Sequence, residues 1–344
     1  PTNSSTIGVI DLDRSKLFLG DNINVINLSN NNNIYQIRNQ LASHIVIGKN
    51  ALIEGNGHSG KNGAIMGFPE GISSFTIGDN ATFKNNKALN GGAFYQDTYG
   101  SDNSTGRKVS FGDNTTFIGN EAFTGGAVNL VYNVQYFDNA SFGKNTSFIN
   151  NEADWHGGAM YIASSVQNQE HYVVFLDNNT VFSGNKAKEG GAIYASSGIK
   201  MAGATFSGNE AEETGGAMHF VLGSKVSFGE GTFFNNNKAG RDGGAIYAFL
   251  GTHAFEGSAD FIGNTAESAG GAIYLVNVHT SFNLSAGERL LFSNNFANGE
   301  ENSIHFESSG SLTFNVGEDA VIDMRDPFSA VSSPSTTTSI VKNG

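Results

Sequence analysis

The fold is decided by the stretch Phe182-Ser183-Gly184-Asn185-Lys186-Ala187-Lys188-Glu189-Gly190-Gly191-Ala192-Ile193-Tyr194, which is one copy of a recurring pattern. The pattern reads phenylalanine, two residues, asparagine, one residue, alanine, two or three residues, then Gly-Gly-Ala and an apolar residue. A repeat of this kind indicates one continuous solenoid rather than two or three separate domains. Seven intact copies begin at Phe83, Phe117, Phe148, Phe182, Phe206, Phe234 and Phe261, and worn copies begin at Ile53 and Phe292.

The spacing of the copies selects the type of solenoid. Successive phenylalanines lie 34, 31, 34, 24, 28 and 27 residues apart, so a constant motif alternates with spacers of variable length. The shortest copy, 182–205, has no helical periodicity, and its pattern is typical of short strands and turns. We therefore predict an all-β fold, a parallel β-helix of roughly ten to twelve coils. At a strand separation of about 4.8 Å, the rod would be about 50 to 60 Å long.

The motif residues have scaffold roles in such a coil. The phenylalanines can stack inside the rod, and the asparagines can form an amide ladder while tolerating a left-handed turn. The paired glycines permit positive φ and a close approach between coils. The predicted structural residues are Phe83, Asn86, Gly91, Gly92, Phe117, Asn120, Gly125, Gly126, Phe148, Asn151, Gly157, Gly158, Phe182, Asn185, Gly190, Gly191, Phe206, Asn209, Gly215, Gly216, Phe234, Asn237, Gly243, Gly244, Phe261, Asn264, Gly270 and Gly271.

The composition excludes several classes of protein. The net charge is −13 and only 15% of the residues are charged, which argues against binding to nucleic acid or to an anionic membrane surface. The chain has no cysteine, so it has neither a disulfide framework nor a thiolate metal site. The glycines do not follow the spacing of nucleotide-binding loops, and the histidines lack the pairing of a metal site. We predict no cofactor, no metal ion and no nucleic-acid partner.

The repeats divide the chain into four regions. Residues 1–50 lack the motif but carry apolar-rich runs at 7–12 and 23–28, and we predict an N-terminal capping region there. Residues 51–297 form the repeat β-helix, and residues 298–328 form closing coils. Residues 329–344 have the composition of a linker. No apolar run reaches the length of a membrane span and no signal segment begins the sequence, so an exported protein would be represented here by a mature fragment.

The coupled F-x-x-N and G-G-A motifs resemble the repeats of the chlamydial polymorphic outer membrane proteins and of related bacterial autotransporter passengers. The resemblance covers residues 50 to 297. The unmatched repeat at Phe292 and the segment 322–328 look like the way those passengers close, and the segment 337–344 looks like the lead-in to the region before a translocator barrel. It implies a right-handed β-helix that a Gram-negative bacterium secretes or displays at its outer membrane for adhesion to host cells. It also implies membrane attachment only through a C-terminal translocator barrel that lies beyond residues 329–344. The absence of cysteine departs from the chlamydial members, which usually carry it.

Two features outside the scaffold are candidate binding sites. Trp155, the single tryptophan, lies in a predicted turn before Gly157 and Gly158, where we expect it to be exposed. The residue after the apolar position of each motif should face outward, because strand side chains alternate. This tyrosine row either covers the sheet by stacking between coils or forms a flat strip for protein or carbohydrate. Its members are Tyr95, Asn129, Tyr161, Tyr194, His219, Tyr247 and Tyr274.

A catalytic site finds little support in the sequence. The tight cluster of acidic and basic residues is Asp323, Arg325 and Asp326, in the predicted closing coils. Alternation places Asp323 and Arg325 on one face, where a surface ion pair is the simpler interpretation. We therefore predict no catalytic residue and no enzymatic activity.

Three functions remain as hypotheses. The first is an adhesin that binds a host-cell surface protein or glycan, or a neighbouring cell, through one face of the rod and the long loops 96–107 and 164–171. The second is a structural stalk or self-associating module. The third is a carbohydrate-active β-helix enzyme, which would need an exposed cluster of carboxylates that the sequence does not offer.

Overall fold

The computed structural model describes residues 16–26, 43–58, 66–68, 72–97, 108–132, 139–164, 172–330 and 336–342. These residues form three sheets of 20, 11 and 10 strands, which we call sheets 1, 2 and 3. Each motif enters sheet 2 at its phenylalanine, continues into sheet 3 after its asparagine and reaches sheet 1 after its glycine pair. The described residues contain no helix, and the predicted all-β parallel β-helix is confirmed.

Sheet 1 contains Lys16–Leu19, Ser43–Ile47, Met66–Phe68, Ile72–Ile77, Phe94–Asp97, Lys108–Phe111, Val128–Tyr132, Asn139–Phe142, Met160–Ser164, Tyr172–Leu176, Ile193–Ala195, Gly198–Met201, Met218–Phe220, Ser224–Phe228, Ile246–Glu256, Ile273–Leu284, Ile304–Phe306, Gly310–Val316, Phe328–Ala330 and Thr336–Lys342. Sheet 2 contains Asn24–Ile26, Leu52–Glu54, Thr82–Lys84, Thr116–Ile118, Ser147–Ile149, Thr180–Ser183, Ala204–Ser207, Thr232–Asn235, Ala259–Ile262, Arg289–Ser293 and Val321–Met324. Sheet 3 contains Gly57–His58, Lys87–Ala88, Glu121–Thr124, Glu152–His156, Lys186–Glu189, Glu210–Thr214, Lys238–Ala239, Thr265–Ala266, Phe296–Ala297 and Glu300–Glu301.

Equivalent strands of successive coils pair in parallel, motif on motif. Phe117, for example, lies opposite Phe83 on one side and Phe148 on the other. The pair Phe296–Ala297 and Glu300–Glu301, which ends sheet 3, is antiparallel. The rod has about eight complete turns, slightly fewer than the ten to twelve that we predicted. The difference arises at the two ends, where the outermost strands of sheet 2 have no companion in sheet 3 among the described residues.

The interior of the rod is filled by a column of stacked phenylalanine rings, as predicted. From Phe83 to Phe292, the ring centroids of successive coils lie 4.7–4.8 Å apart and the ring planes are within 9° of parallel. A second column in sheet 1, which includes Phe111 and Phe142, meets the first column edge-on. The ring spacing matches the strand spacing of about 4.8 Å, so each coil adds one ring to a continuous core.

A buried amide ladder runs beside the phenylalanine column. The backbone N–H and the Nδ2 of Asn151 both donate to Oδ1 of Asn185 in the next coil, each at 3.0 Å. The Nδ2 of Asn151 also donates to the carbonyl of Phe117 in the preceding coil at 3.1 Å. Each step of the ladder therefore satisfies buried groups in three successive coils. Its members are Asn56, Asn86, Asn120, Asn151, Asn185, Asn209, Asn237, Asn264 and Asn295.

The left-handed turn that we predicted for these asparagines lies one residue earlier, so that part of the prediction was wrong. Gly119, Asn150 and Gly184, which precede ladder asparagines, have φ values of 61°, 50° and 64°. A left-handed residue at this position turns the chain from sheet 2 into sheet 3. The asparagine that follows is then free to direct its N–H groups along the rod, toward the next coil.

The two glycines of each motif have different tasks. Gly190 adopts a φ of 64°, which an L side chain rarely adopts. Gly191 has an ordinary φ, but a Cβ at that position would lie 2.1 Å from the carbonyl oxygen of Gly216 in the next coil. The first glycine is therefore required by its conformation and the second by the close approach of two backbones.

A second amide ladder lies at the surface, and the sequence analysis did not predict it. Each of its asparagines has a φ of 58–62° in the turn from sheet 1 to sheet 2. The Nδ2 of each asparagine donates to Oδ1 of its predecessor at 3.0–3.1 Å. This surface ladder consists of Asn22, Asn50, Asn80, Asn114, Asn145 and Asn179.

The buried ladder ends at an aspartate. Oδ2 of Asp326 accepts hydrogen bonds from the backbone N–H of Asn295 at 2.8 Å, from its Nδ2 at 2.9 Å and from Oγ of Ser303 at 2.8 Å. Oδ1 accepts from the backbone N–H of Asn294 at 2.9 Å. A carboxylate has no N–H to donate, so Asp326 accepts the last hydrogen bonds of the ladder and the ladder does not continue beyond it.

Two described parts of the segment 329–344, which we predicted to be a linker, belong to strands of sheet 1. Phe328–Ala330 pairs with Ile304–Phe306, and Thr336–Lys342 pairs with Gly310–Val316. At the other end, Asn24–Ile26 is a strand within the predicted run 23–28, whereas the run 7–12 lies outside the described residues. The division into a cap, a repeat region, closing coils and a linker remains a prediction.

Leu250 is an unusual residue at a left-handed position, and replacing it with asparagine is expected to stabilise the protein. Leu250 is exposed with a φ of 58°, while the adjacent coils place Gly223 and Asn277, which tolerate positive φ, beside it. Relief of this conformational cost should raise the free energy of unfolding by about 1 kcal/mol. Thermal unfolding of Leu250→Asn measures the gain. Phe233→Asn, an exposed position with ordinary φ, is the control, and a gain of equal size there would contradict the explanation.

Candidate functional site

The glycine pairs create a concave corner along the outside of the rod, between sheet 3 and sheet 1. The tyrosine row forms one side of this corner and continues through His305, which stacks on Tyr274 at 5.0 Å. The residue before each glycine pair forms the other side, which we call the wall row. Contacts join the two rows, such as the 4.2 Å between the ring centroids of His156 and Tyr194. We call this feature the corner groove. The wall row consists of Asn90, Thr124, His156, Glu189, Thr214, Asp242 and Ala269.

The predicted orientation of the tyrosine row holds, but its exposure is smaller than a flat strip would give. The row lies on the outer side of sheet 1, while the residues before it, such as Met160 and Ile193, are fully buried in the rod. Tyr95, Tyr161, Tyr194 and Tyr247 are half-buried, and Tyr274, His219 and Asn129 are buried. Contacts across the corner contribute to the difference, since His156 of the wall row lies against the rings of Tyr161 and Tyr194.

Stacking between coils limits what the tyrosine row can bind. The ring of Tyr194 lies 5.6 Å from that of Tyr161 and 4.9 Å from that of His219, measured between centroids. Tyr247 is likewise placed between His219 at 4.6 Å and Tyr274 at 5.3 Å. Since neighbouring rings lie on both sides of Tyr194 and of Tyr247, these two side chains offer a ligand only their ring edges and hydroxyl groups.

Two members of the row are not tyrosine, and each is paired with a threonine of the wall row. Nδ2 of Asn129 donates to Oγ1 of Thr124 at 2.7 Å, and Nδ1 of His219 lies 2.7 Å from Oγ1 of Thr214. Both pairs are five residues apart across a glycine pair. Sequence analysis missed this pairing, although the joint change of both positions within the repeats was a signal that could have revealed it.

Two histidines share one carboxylate at the centre of the corner groove. Nε2 of His156 lies 3.1 Å from Oε2 of Glu189, and Nδ1 of His219 lies 4.0 Å from the same oxygen. The hydrogen bond from His156 lowers the pKa of Glu189 and outweighs the opposing effect of burial. Burial lowers the pKa of His219 to about 4, so its ring is neutral at physiological pH. Burial raises the pKa of Tyr194 well above its ordinary value, and Glu189 adds to the shift.

Trp155 is exposed as predicted, but it lies in the strand Glu152–His156 and not in a turn. This strand has one more residue before its glycine pair than the two strands beside it, and the register shifts at this bulge. The bulge directs both Asp154 and Trp155 outward. Bulges of this kind re-aim side chains, which accounts for a large apolar residue at the surface.

Trp155 belongs to a group of three exposed apolar side chains on successive coils. Its ring lies 6.2 Å from that of Phe123, and the backbone N–H of Phe123 bonds to the carbonyl of Leu89. Leu89, Phe123 and Trp155 are 40%, 45% and 41% exposed, and we call them the apolar strip. Nζ of Lys188 lies 3.9 Å from the centre of the Trp155 ring, a cation–π contact that closes the strip at one end.

The cluster of Asp323, Arg325 and Asp326 has a structural role. Arg325 donates to Oδ2 of Asp323 from Nη2 at 2.8 Å, as the predicted surface ion pair requires, and this bond lowers the pKa of Asp323. Asp326 is buried and ends the asparagine ladder. Neither carboxylate is therefore placed for acid–base chemistry on a bound substrate.

Other predicted features are only partly visible. Of the loops 96–107 and 164–171, only 96–97 and 164 are among the described residues. Within the described part of the chain, no group of three or more His, Cys, Asp or Glu side chains could hold a metal ion. The same part of the chain has no helix with the length and apolarity to cross a membrane.

Comparison with known proteins identifies the repeat. Residues 179–196, 231–248 and 258–275 match the family model of the Chlamydia polymorphic membrane protein repeat. No curated protein and no solved structure matches the chain. The chain thus carries the repeat of the chlamydial polymorphic membrane proteins, as its motifs predicted. This repeat suggests an autotransporter-type protein of the outer membrane.

Proposed function

We propose that this protein is an autotransporter passenger that acts as an adhesin, binding a molecule on host cells or neighbouring cells. The repeat of the polymorphic membrane proteins supports the passenger role and a place at the outer membrane. We infer the adhesin role from the separation of structural residues and surface residues within each coil. The phenylalanines, ladder asparagines and glycine pairs hold the rod together, so binding depends on the side chains that the rod presents at its surface.

The apolar strip is the main support for the proposed adhesin role. The repeat does not require apolar residues there, because the equivalent positions in the next three coils are Lys188, Glu213 and Arg241. Exposing Leu89, Phe123 and Trp155 to water gives the rod no stability, since apolar surface gains free energy only when it is covered. Contiguous exposed apolar residues that include a tryptophan are typical of protein interaction sites.

Trp155→Ala is expected to weaken the binding of purified protein to host cells about 30-fold, corresponding to a hot-spot contribution of about 2 kcal/mol. Cell binding is measured by flow cytometry with labelled protein, after thermal unfolding has shown that the variant is folded. Phe233→Ala, which removes an exposed aromatic residue from sheet 2, is the matched control and should bind like the parent. Equal binding by Trp155→Ala and the parent would place the site elsewhere, and a parent that never binds cells would favour the stalk.

The third hypothesis, a carbohydrate-active enzyme, gains no support from the site. Asp323 is engaged by Arg325, Asp326 is buried under four hydrogen bonds, and Glu189 is bonded to His156. Sugar binding on the faces of Tyr194 and Tyr247 is also disfavoured, because neighbouring rings cover these faces.

A further inference from the structure

The charge of the chain is concentrated in its second half. Residues 201–330 contain 16 acidic and 5 basic residues, a net charge of −11 out of the total of −13. Of the basic residues, Arg241, Arg289 and Arg325 form ion pairs with Asp242, Asp260 and Asp323. The surface of these coils therefore carries a large excess of unneutralised carboxylates.

Part of this charge converges on the corner groove. The pKa of Tyr247 is raised by burial and by the charges of Glu307, Asp242 and Glu189, while Arg241 opposes them. These three carboxylates come from three different coils, and Glu307 also accepts a hydrogen bond from the hydroxyl of Tyr274. Because Arg241 is already bonded to Asp242, the stretch of groove around Tyr247 is anionic.

The groove also contains one acceptor without a donor. Oδ1 of Asn129 is buried, with the residue only 2% exposed, and it has no hydrogen-bond partner among the described residues. Its Nδ2 is fixed on Thr124, so the amide cannot turn to hide the oxygen without losing that bond. A buried carbonyl oxygen without a donor costs free energy, which a donor from a partner would recover.

The ligand that fits these features is rich in N–H donors and positive charge. A sulfated or otherwise anionic polymer would be repelled, and sugar rings cannot stack on the faces of Tyr194 and Tyr247, which neighbouring rings cover. Lysine and arginine side chains carry three and five N–H donors and no acceptor, which complements the carboxylates, the tyrosine hydroxyls and the unpaired amide oxygen of Asn129.

We propose that the corner groove from Asn129 to His305 is the docking surface for a segment of a partner protein that is rich in arginine and lysine. This inference rests on the proposed adhesin function and names the chemistry of its partner. The apolar strip lies on the adjoining sheet 3, so one partner could contact both surfaces.

The probe is a fluorescent peptide of eight alternating arginine and serine residues, with binding measured by anisotropy at low and high salt. The test variant is Glu189→Gln/Asp242→Asn/Glu307→Gln, which removes three carboxylates from the groove. The matched control is Glu230→Gln/Glu256→Gln/Glu318→Gln, which removes three exposed carboxylates near the turns from sheet 1 to sheet 2. Both proteins are first shown to be folded by circular dichroism and thermal unfolding.

We expect the parent to bind the peptide and to release it in high salt, since exposed charges are screened. The test variant should bind about tenfold more weakly and the control within about twofold of the parent. Equal weakening of both variants would mean attraction to net charge alone, and absence of binding by the parent would overturn the proposal. Cell binding measured in parallel separates the two proposals. If the parent binds cells but does not bind the peptide, the adhesin function is supported and the proposed cationic partner is contradicted.

Discussion

Acidification from pH 7.5 to pH 5 is expected to lower the free energy of unfolding by about 4 kcal/mol, because two histidines are buried in the neutral form. Burial lowers the pKa of His219 to about 4 and that of His253 to about 3. His219 lies between the rings of Tyr194 and Tyr247. His253 lies inside the rod, against the ring of Phe220 at 4.8 Å.

The direction of the effect follows from proton linkage. An unfolded histidine binds a proton below its ordinary pKa of about 6.5, whereas the folded protein binds it only near pH 4 or 3. The stabilisation is therefore fully present above pH 6.5 and is lost as the pH falls below that value. Carboxylates with a lowered pKa, such as Glu189, lose their contribution only below about 4.5, so the interval from 6.5 to 5 reports mainly on the histidines.

The residues that occupy the same position in neighbouring coils suggest substitutions that should remove the acid sensitivity. His219→Tyr repeats the residue found in the coils on both sides, and His253→Val repeats Val226. Urea unfolding of the double variant should lose most of its change between pH 7.5 and pH 5, and the smaller remainder should come from His305, whose pKa burial also lowers. His279→Asn, at an exposed histidine, is the control and should keep the acid sensitivity of the parent. A double variant that remains as acid-sensitive as the parent would show that other groups are responsible.

Asn151→Ala is expected to cost about 3 to 6 kcal/mol, because it leaves several buried groups without partners at once. The N–H and Nδ2 of Asn120 lose their acceptor, and the carbonyl of Phe117 loses its donor. Repeats couple mainly to their nearest neighbours, so the damage should concentrate in the coils around residue 151. Amide hydrogen exchange measures the effect coil by coil.

The surface ladder provides the matched control for this prediction. Asn114→Gly removes two amide bonds of similar length but keeps a residue that tolerates a φ of 58°. Water replaces the lost partners at the surface, so the cost should stay below about 1 kcal/mol. Equal costs in the two ladders would show that burial does not give the inner one its importance.

The sequence was sufficient to predict the β-helix, because the phenylalanine, asparagine and glycine positions each repeat in register. The sequence also predicted the two roles of the pair Gly190–Gly191, a positive φ and a close approach between coils. The left-handed residue was misplaced, because asparagine and glycine exchange freely at that position and asparagine also forms the adjoining ladder. Residue patterns alone could not show that asparagines in the surface turns are bonded to each other.

The candidate site was less predictable for a geometric reason. Alternation along a strand gives the side of a sheet on which Tyr194 lies, but not whether the next sheet bends toward that side. The contacts between the wall row and the tyrosine row, such as that of His156 with Tyr194, therefore became visible only in three dimensions. The bulge at Asp154 and Trp155 was likewise present in the sequence as one extra residue, but its effect on side-chain direction depends on the neighbouring coils.

The aspartate that ends the buried ladder has a consequence for how such a gene can change. Every asparagine makes the same bonds to its neighbours whether the coils are 24 or 34 residues apart, as the steps to Asn209 and from Asn151 show. Recombination between two copies of the repeat would then insert or delete whole coils and leave every remaining amide satisfied. Asp326 would still complete the last coil, so descendants could differ in length without any new solution for the end of the ladder.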